Sequence, residues 1–168
     1  MAFNLQDASG LTAVFAVATA GAALTGLSGA ASTYTSSAFG YALNGDIYAK
    51  AAVGSATAAP ATDGNTGVAF PAIGANQAAA FVWAVDASGN YKVYKGPTVA
   101  WTDTTAGSTA CPLPAIPTNV TPFAAHTVQN GSTGSNWVFG SSNWNATGVA
   151  AITVRNLSQL RNTPLLTT

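Results

Sequence analysis

Two side chains of this sequence could form a nucleophile and its general base, namely the single cysteine, Cys111, and the single histidine, His126. A thiol attacks as its thiolate, and it needs a neighbouring imidazole or another positive group to lower its pKa. Cys111 opens a proline-rich segment, whereas His126 lies in an apolar run, FAAHTV. Two single residues in different segments do not make a catalytic motif, so we expect both to be buried or to be bystanders without a catalytic role.

The acidic side chains are too widely spaced for general acid–base catalysis by paired carboxylates. All five acids are aspartates, and the closest pairs along the chain, such as Asp46 and Asp63, are 17 positions apart. One histidine, one cysteine and dispersed acids also give no metal-ligand spacing. The glycine-rich stretches lack the lysine and the strand–helix setting of a phosphate-binding loop. We therefore predict no catalytic, cofactor-binding or metal-ligating residues and no enzymatic activity.

The four tryptophans could form a sugar-binding surface, because aromatic faces stack on the apolar faces of sugars. The same residue type is common in cores and subunit interfaces, where each side chain buries a large apolar area. We expect a core or interface position for the whole set, which comprises Trp83, Trp101, Trp137 and Trp144.

The chain carries very little charge. Only 6% of its residues are charged, and five basic residues balance five acidic ones, whereas an ordinary soluble domain is about 25% charged. A folded monomer of this mass would expose roughly 7,600 Å², which ten charged side chains cannot cover. Such a surface lacks the net charge that keeps proteins apart in solution. The composition predicts a protein that is packed against neighbours in an assembly.

The basic residues are scattered along the chain, which argues against a nucleic-acid partner. Binding to phosphates requires clustered Lys and Arg side chains. Only Lys92 and Lys95 are close together, and we expect them to be solvated residues at a strand flank. The full set comprises Lys50, Lys92, Lys95, Arg155 and Arg161.

An apolar, alanine-rich run occupies residues 11–24 but does not suit a targeting or membrane-spanning segment. No basic residue precedes it, and Asp7 has the wrong charge for a secretory signal. The run is also too short and too rich in Gly and Thr to span a bilayer. We expect neither a signal peptide nor a membrane association. Four Asn-x-Ser/Thr triplets are expected by chance in such a sequence and begin at Asn119, Asn130, Asn145 and Asn156.

The composition divides the chain into an N-terminal arm over residues 1–35 and a β-domain with a C-terminal tail over residues 36–168. Small residues dominate the arm, and its glycines interrupt any long helix. Residues 11–23 suit a short helix or a strand, and periodicity does not decide between them. A flat arm of Ala and Gly suits close packing against a neighbouring subunit.

The rest of the chain alternates short apolar runs with Gly and Asn turns, which predicts an all-β fold, an antiparallel and jelly-roll-like β-sandwich. Asn44-Gly45 between residues 38–43 and 46–50 is a strong hairpin signal. We predict further hairpins that pair residues 79–85 with 91–95 and residues 123–128 with 136–139, and a last strand over 149–154. Residues 54–66 are predicted to form a loop, and the prolines of residues 111–117 an extended link.

Several segments together resemble small virion proteins of tailed bacteriophages, of the capsid decoration or cement type. They are, in order, residues 43–52 (LNGDIYAKAA), 81–93 (FVWAVDASGNYKV), 113–117 (LPAIP), 121–125 (TPFAA) and 137–140 (WVFG). The resemblance covers roughly residues 36–155 and rests on the order and spacing of the segments. The long alanine-rich N-terminal segment departs from the family pattern.

The resemblance implies a β-sandwich subunit, more often trimeric than dimeric, that sits on a shell of major capsid protein at the virion surface. We therefore expect a structural, non-enzymatic capsid cement or decoration protein. One alternative is a receptor-binding or fibre-like surface protein that recognises glycans through exposed Trp and Tyr side chains. A second alternative is a secreted hydrolase or another enzyme.

Overall fold

The described part of the chain, residues 24–101 and 111–156 of a computed structural model, is all β and contains no helix. The short runs of apolar, aromatic and β-branched residues form the strands, and Gly and Asn occupy the turns, as their propensities favour. The ten strands are β1 (Leu24–Thr25), β2 (Thr33–Ser36), β3 (Phe39–Leu43), β4 (Asp46–Lys50), β5 (Val53–Ala58), β6 (Gln77–Asp86), β7 (Tyr91–Lys95), β8 (Val99–Ala100), β9 (Val120–Asn130) and β10 (Val149–Asn156).

The largest sheet has five strands and is antiparallel throughout. Strand β9 lies between β10 and β6, and the other edge of β6 pairs with β7 and then with β8. Eight consecutive residues of β6 are buried, from Ala78 to Val85, so both faces of this strand are covered by protein. A central strand of this kind requires a nearly continuous apolar run, and the alanines and aromatics of β6 provide it.

Two smaller antiparallel units cover one face of the large sheet. Strands β1, β2 and β5 form a three-stranded sheet, and β3 and β4 form a hairpin. The Tyr34 ring of β2 lies 4.9 Å from the Trp83 ring of β6, and the Phe39 ring of β3 lies 4.9 Å from Phe123 of β9, between ring centroids. These contacts place one apolar core between the layers, in a sandwich-like arrangement.

The opposite face of the large sheet carries a second, smaller cluster. Ala84, Tyr94 and Val120 are buried there, and Ile116 of the proline-rich link packs against them. Residues 111–117 form no strand, as predicted, because proline cannot donate to a ladder. The extended link therefore lies over the outer face of β6 and β7.

Three of the predicted strand assignments are confirmed. Strands β3 and β4 are joined by Asn44 and Gly45, whose φ angles of 54° and 89° fit a type I′ turn. Strands β6 and β7 form the predicted hairpin, with Trp83 opposite Val93. The last predicted strand, over residues 149–154, is β10.

The predicted hairpin between residues 123–128 and 136–139 is wrong in its second half. Residues 123–128 do form part of β9, but β9 pairs with β6 and β10. Residues 136–139 contain only one isolated bridge, between Trp137 and Ile73. The Trp137 and Phe139 side chains are both almost fully buried, so this segment is a core-filling loop that has the composition of a strand.

The predicted loop over residues 54–66 contains a strand that composition did not indicate. Residues 53–58 form β5, although the sequence VGSATA has only one β-branched aliphatic residue. Pairing with β2, in which Tyr34 lies opposite Thr57, fixes these small residues in an extended conformation. Long-range pairing thus outweighs weak local propensity at this position.

The described portion of the predicted arm belongs to the β-domain. Leu24, Leu27 and Tyr34 are buried in the main core, and β1 and β2 lie within residues 24–36. Residues 1–23, with the undecided segment 11–23 and Asp7, lie outside the described residues. So do Asp103 and the C-terminal tail from residue 157, which includes Arg161.

Candidate binding site

The single histidine occupies the middle of the core and does not face a cleft. His126 is opposite Phe81 in the β6–β9 register, and its ring stacks on Phe81 at 5.2 Å between centroids. The indole Nε1 of Trp83 donates a hydrogen bond of 3.1 Å to Nδ1 of His126. Burial lowers the pKa of His126 to about 3, because desolvation disfavours the imidazolium. The imidazole is therefore neutral at physiological pH.

The single cysteine does not form a nucleophile–base pair with this histidine. Cys111 lies at the start of the extended link and is half-buried, and burial raises the pKa of its thiol. A reactive cysteine requires the opposite shift. The Nδ1 atom of His126 is occupied by Trp83, and aromatic rings enclose the imidazole. These two residues therefore do not come together as an active site.

All four tryptophans are buried, which confirms the prediction of a core position. Each has at most 2% of its surface exposed. Trp137 Nε1 donates to the Asn143 carbonyl at 2.9 Å, and Trp144 Nε1 donates to the Thr33 carbonyl at 2.7 Å. Trp101 Nε1 has no partner among the described residues. A sugar-stacking platform built from these rings is therefore not present at the surface.

Burial makes one of the four glycosylation triplets inaccessible. Asn130 is fully buried, and its Nδ2 donates to the Ile73 and Ser135 carbonyls at 2.9 and 2.8 Å. Asn119 and Asn145 are exposed, and the side chain of Asn156 lies outside the described residues.

The loop that follows β5 turns back onto the free edge of β7 and is held there by Asp63. Oδ1 of Asp63 accepts the backbone N–H groups of Asn65 and Thr66 at 2.8 and 3.3 Å, and Oδ2 accepts that of Lys95 at 2.9 Å. Gly64 N–H also donates to the Val93 carbonyl at 2.7 Å. The buried carboxylate thus satisfies three donors and fixes the loop against the strand.

A surface groove of about 610 Å³ lies between this loop, the end of β7 and the proline-rich link. Its apolar lining comes from Val68, Pro71, Pro97, Leu113 and Pro114. The side chains of Val68 and Leu113 are each 62% exposed. Asn65 Nδ2 donates to the Ala115 carbonyl at 3.0 Å, which ties the loop to the link.

Lys95 supplies the positive charge of the groove. Its Nζ donates to the neutral oxygens Thr98 Oγ1, at 2.6 Å, and Gly96 O, at 3.4 Å. Burial lowers the pKa of Lys95, and the neighbouring Asp63 opposes that shift. Lys95 is half-buried and Lys92 is exposed, so the expectation of two solvated flank lysines holds for Lys92 alone.

The sequence contains no motif that marks this groove. The turn residues Asp63 and Gly64 were recognisable as a loop signal, and Leu113 as part of a proline-rich link, but 50 positions separate them. The contact between Asn65 and the link at Ala115 brings them together, and no local pattern predicts such a contact.

The groove is the candidate binding site of the described residues. Across residues 24–101 and 111–156, no three His, Cys, Asp or Glu side chains are grouped so as to hold a metal ion. The same residues include no helix that is long and apolar enough to cross a membrane. Comparison with known proteins gives no matching family, no matching curated protein and no matching solved structure.

Proposed function

We propose that this chain is a structural, non-enzymatic virion protein that cements or decorates the capsid of a tailed bacteriophage. It binds the major capsid protein on the outside of the shell, associates with copies of itself, as a trimer more readily than as a dimer, and stabilises contacts between capsomers. The observation that carries the proposal is the near absence of charge, at 6% of the residues. The resemblance of residues 36–155 to such proteins indicates the class.

Several of the few described charges are engaged within the subunit. Oδ1 of Asp86 accepts the backbone N–H groups of Ser88 and Asn90, both at 2.9 Å. Lys50 Nζ lies 4.8 Å from the centroid of the Tyr91 ring, within the range of a cation–π contact. These internal contacts leave little charge that a partner would have to desolvate or pair.

Strand β5 presents a neutral surface that suits permanent contact. Residues 54–58 are all exposed, and none of them is charged or large. Ordering small side chains in an interface costs little conformational entropy. Stable complexes bury about 800 Å² on each partner, so β5 would supply one uncharged part of such an interface.

The glycan-binding alternative receives no support from the aromatic residues. The four tryptophans are buried, and so are Tyr34, Tyr41 and Tyr94. Tyr48 and Tyr91 are half-buried and pack against the main core. The aromatic rings of the described residues therefore serve packing.

The proposal is tested on intact phage particles. The protein should purify with capsids in a fixed ratio to the major capsid protein. Capsids assembled without it should lose resistance to heat and osmotic shock, and adding the purified protein should restore that resistance. If capsids without the protein were equally robust, the protein would decorate the capsid without cementing it. Absence of the protein from purified particles would overturn the proposal.

A further inference from the structure

The sequence contains two Asn-Gly pairs, Asn44-Gly45 and Asn130-Gly131. Such a pair can modify itself, because the backbone nitrogen of the glycine follows the asparagine directly and can attack the side-chain amide carbon, Cγ. Glycine has no Cβ that would obstruct this approach. The two pairs have the same local chemistry, so the fold decides which of them reacts.

The fold leaves both reacting groups of the first pair accessible. Asn44 and Gly45 are exposed at the turn between β3 and β4, and a Cβ atom built on Gly45 would meet nothing within 4 Å. Among the described residues, neither the side-chain amide of Asn44 nor the N–H group of Gly45 takes part in a hydrogen bond. The carbon that is attacked and the nitrogen that attacks it therefore both face solvent.

The fold engages both reacting groups of the second pair. Asn130 is fully buried, and its Nδ2 donates to the carbonyls of Ile73 and Ser135. The N–H group of Gly131 donates to the Gly148 carbonyl at 2.7 Å. Asn130 ends β9, which lies between β10 and β6 in the large sheet. These hydrogen bonds break only when the central sheet opens.

We propose that Asn44 is a site of spontaneous deamidation and isomerisation, whereas Asn130 is protected. The Gly45 nitrogen loses its proton to solvent and attacks Cγ of Asn44. As the new N–C bond closes a succinimide ring, the bond from Cγ to Nδ2 breaks, and Nδ2 leaves as ammonia after taking a proton from water. Water then opens the ring at one of its two carbonyl carbons and gives aspartate or isoaspartate.

The overall change exchanges ammonia for water and transfers no electrons. It needs no co-reactant except water, and it does not depend on the proposed function.

The turn between β3 and β4 sets the rate of this reaction. Asn44 has a φ of 54° in the type I′ turn, and its backbone must rotate before Cγ reaches the Gly45 nitrogen. The returning strand β4 is exposed at Asp46, Ile47 and Ala49, and it pairs only with β3 among the described strands. Opening a peripheral hairpin costs less free energy than opening a central strand. We therefore expect Asn44 to react more slowly than in the unfolded chain and faster than Asn130.

The products alter the charge of an exposed turn and leave the core intact. Aspartate at position 44 keeps the turn, since Asp-Gly also suits type I′, and it adds a negative charge two positions from Asp46. Isoaspartate carries the main chain through Cβ and disrupts the two-residue turn. The stacking of Tyr41 on Tyr48 still holds the hairpin further along its strands. Because the formal net charge of the chain is zero, each deamidated copy becomes net negative.

Peptide mapping of the full chain after ageing in a mildly alkaline buffer tests the proposal. Trypsin places the two pairs in different peptides, because Lys50 and Lys95 lie between them. Mass spectrometry measures the conversion of amide to acid, and methylation by an isoaspartyl methyltransferase measures isoaspartate. In the native protein we expect Asn44 to react at least roughly tenfold faster than Asn130. In urea, where the fold no longer protects either pair, the two rates should converge.

The matched control is Asn44→Gly, which removes the reacting amide and keeps a Gly-Gly pair that suits a type I′ turn. It should abolish the early acidic species on ion exchange and leave the slow reaction at Asn130 unchanged. Asn44→Asp should co-elute with the aspartate product. The proposal is overturned if Asn44 reacts in urea but stays intact in the native protein. Equal rates at the two pairs in the native protein, or the same acidic species from Asn44→Gly, would also overturn it.

Discussion

The indole N–H of Trp83 donates to Nδ1 of His126 across neighbouring strands of the central sheet, at 3.1 Å. This bond fixes the tautomer, because an Nδ1 atom that accepts a hydrogen bond leaves the proton of the neutral imidazole on Nε2. Nε2 has no partner in the described residues. The histidine is therefore held as a neutral, half-satisfied polar group inside an aromatic core.

Acid should destabilise the protein through His126. Its pKa is about 3 when folded and 6.5 when unfolded, so the unfolded state binds the proton first. The stability is complete above pH 6.5 and is lost as the pH falls from 6.5 towards 3, by about 1.4 kcal/mol per pH unit. At pH 4.5 the expected loss from this group is on the order of 3 kcal/mol, measured by urea unfolding.

The matched variant for this experiment is His126→Gln, which cannot titrate. Its stability at pH 7 should be lower, but the slope between pH 6.5 and 4.5 should be shallower than that of the wild type. The neighbours of the imidazole are aromatic rings, including Phe81, Phe139 and Trp144. None of these contacts offers a negative charge that would stabilise the protonated imidazolium. Equal slopes for the two proteins would show that His126 does not titrate as described.

The hydrogen bond itself should be visible in a comparison of two tryptophan variants. Trp83→Phe removes the donor of a buried bond and leaves Nδ1 of His126 unsatisfied, whereas Trp101→Phe removes an N–H that has no described partner. Both indoles are at most 2% exposed, so the loss of volume is similar. We expect Trp83→Phe to lower the free energy of unfolding by about 1–3 kcal/mol more than Trp101→Phe. Equal losses would assign the Trp83 effect to packing alone.

The sequence predicted the fold class and two of the three hairpins for a local reason. Asn44 and Gly45 tolerate positive φ, and β6 and β7 are adjacent apolar runs, so each hairpin is specified within about 20 residues. The pairing of β9 with β6 and β10 was not specified in this way. Residues 136–139 have the composition of a strand, and their burial as a loop depends on long-range packing around Phe139.

The groove depended on contacts that no local pattern reveals. From the sequence, Asp63 was recognisable only as part of a turn. One of the three backbone N–H groups that donate to its carboxylate belongs to Lys95, 32 positions away, and no local pattern predicts that hydrogen bond. The exposure of Val68 and Leu113 likewise follows from how the loop and the link meet. The buried aromatic set, in contrast, was predictable, since large rings contribute most of the area that a core must bury.

The glycine at position 140 should tolerate no side chain. Its φ of 77° is unfavourable for other residues, and a Cβ atom there would lie 2.6 Å from the Pro60 carbonyl oxygen and 2.8 Å from Ala61 Cα. Gly45 has a similar φ of 89° and nothing within 4 Å of its Cβ position. We expect Gly45→Ala to cost about 1 kcal/mol and Gly140→Ala about 3 kcal/mol or more. Thermal unfolding measures both, and similar losses would mean that the backbone at Pro60 gives way.

Two truncations should separate the β-domain from the N-terminal segment before it. Removal of residues 1–35 deletes β1 and most of β2 and with them the buried side chains of Leu24, Leu27 and Tyr34. Each contributes about 1.5–3 kcal/mol when fully buried, which together approaches the whole stability of an ordinary domain. We expect this variant to lose cooperative thermal unfolding.

Removal of residues 1–23 alone should leave the cooperative transition in place, because every strand from β1 onward is retained. Under the proposal that the N-terminal segment contacts a neighbouring subunit, this shorter truncation should weaken assembly while near-ultraviolet circular dichroism still reports the packed Tyr34 and Trp83 rings. Cooperative unfolding of the longer truncation would show that β1 and β2 are dispensable for the core. If the variant without residues 1–23 were unfolded, those residues would be needed to complete the domain. An assembly defect alone would not remove the near-ultraviolet circular dichroism of the packed rings.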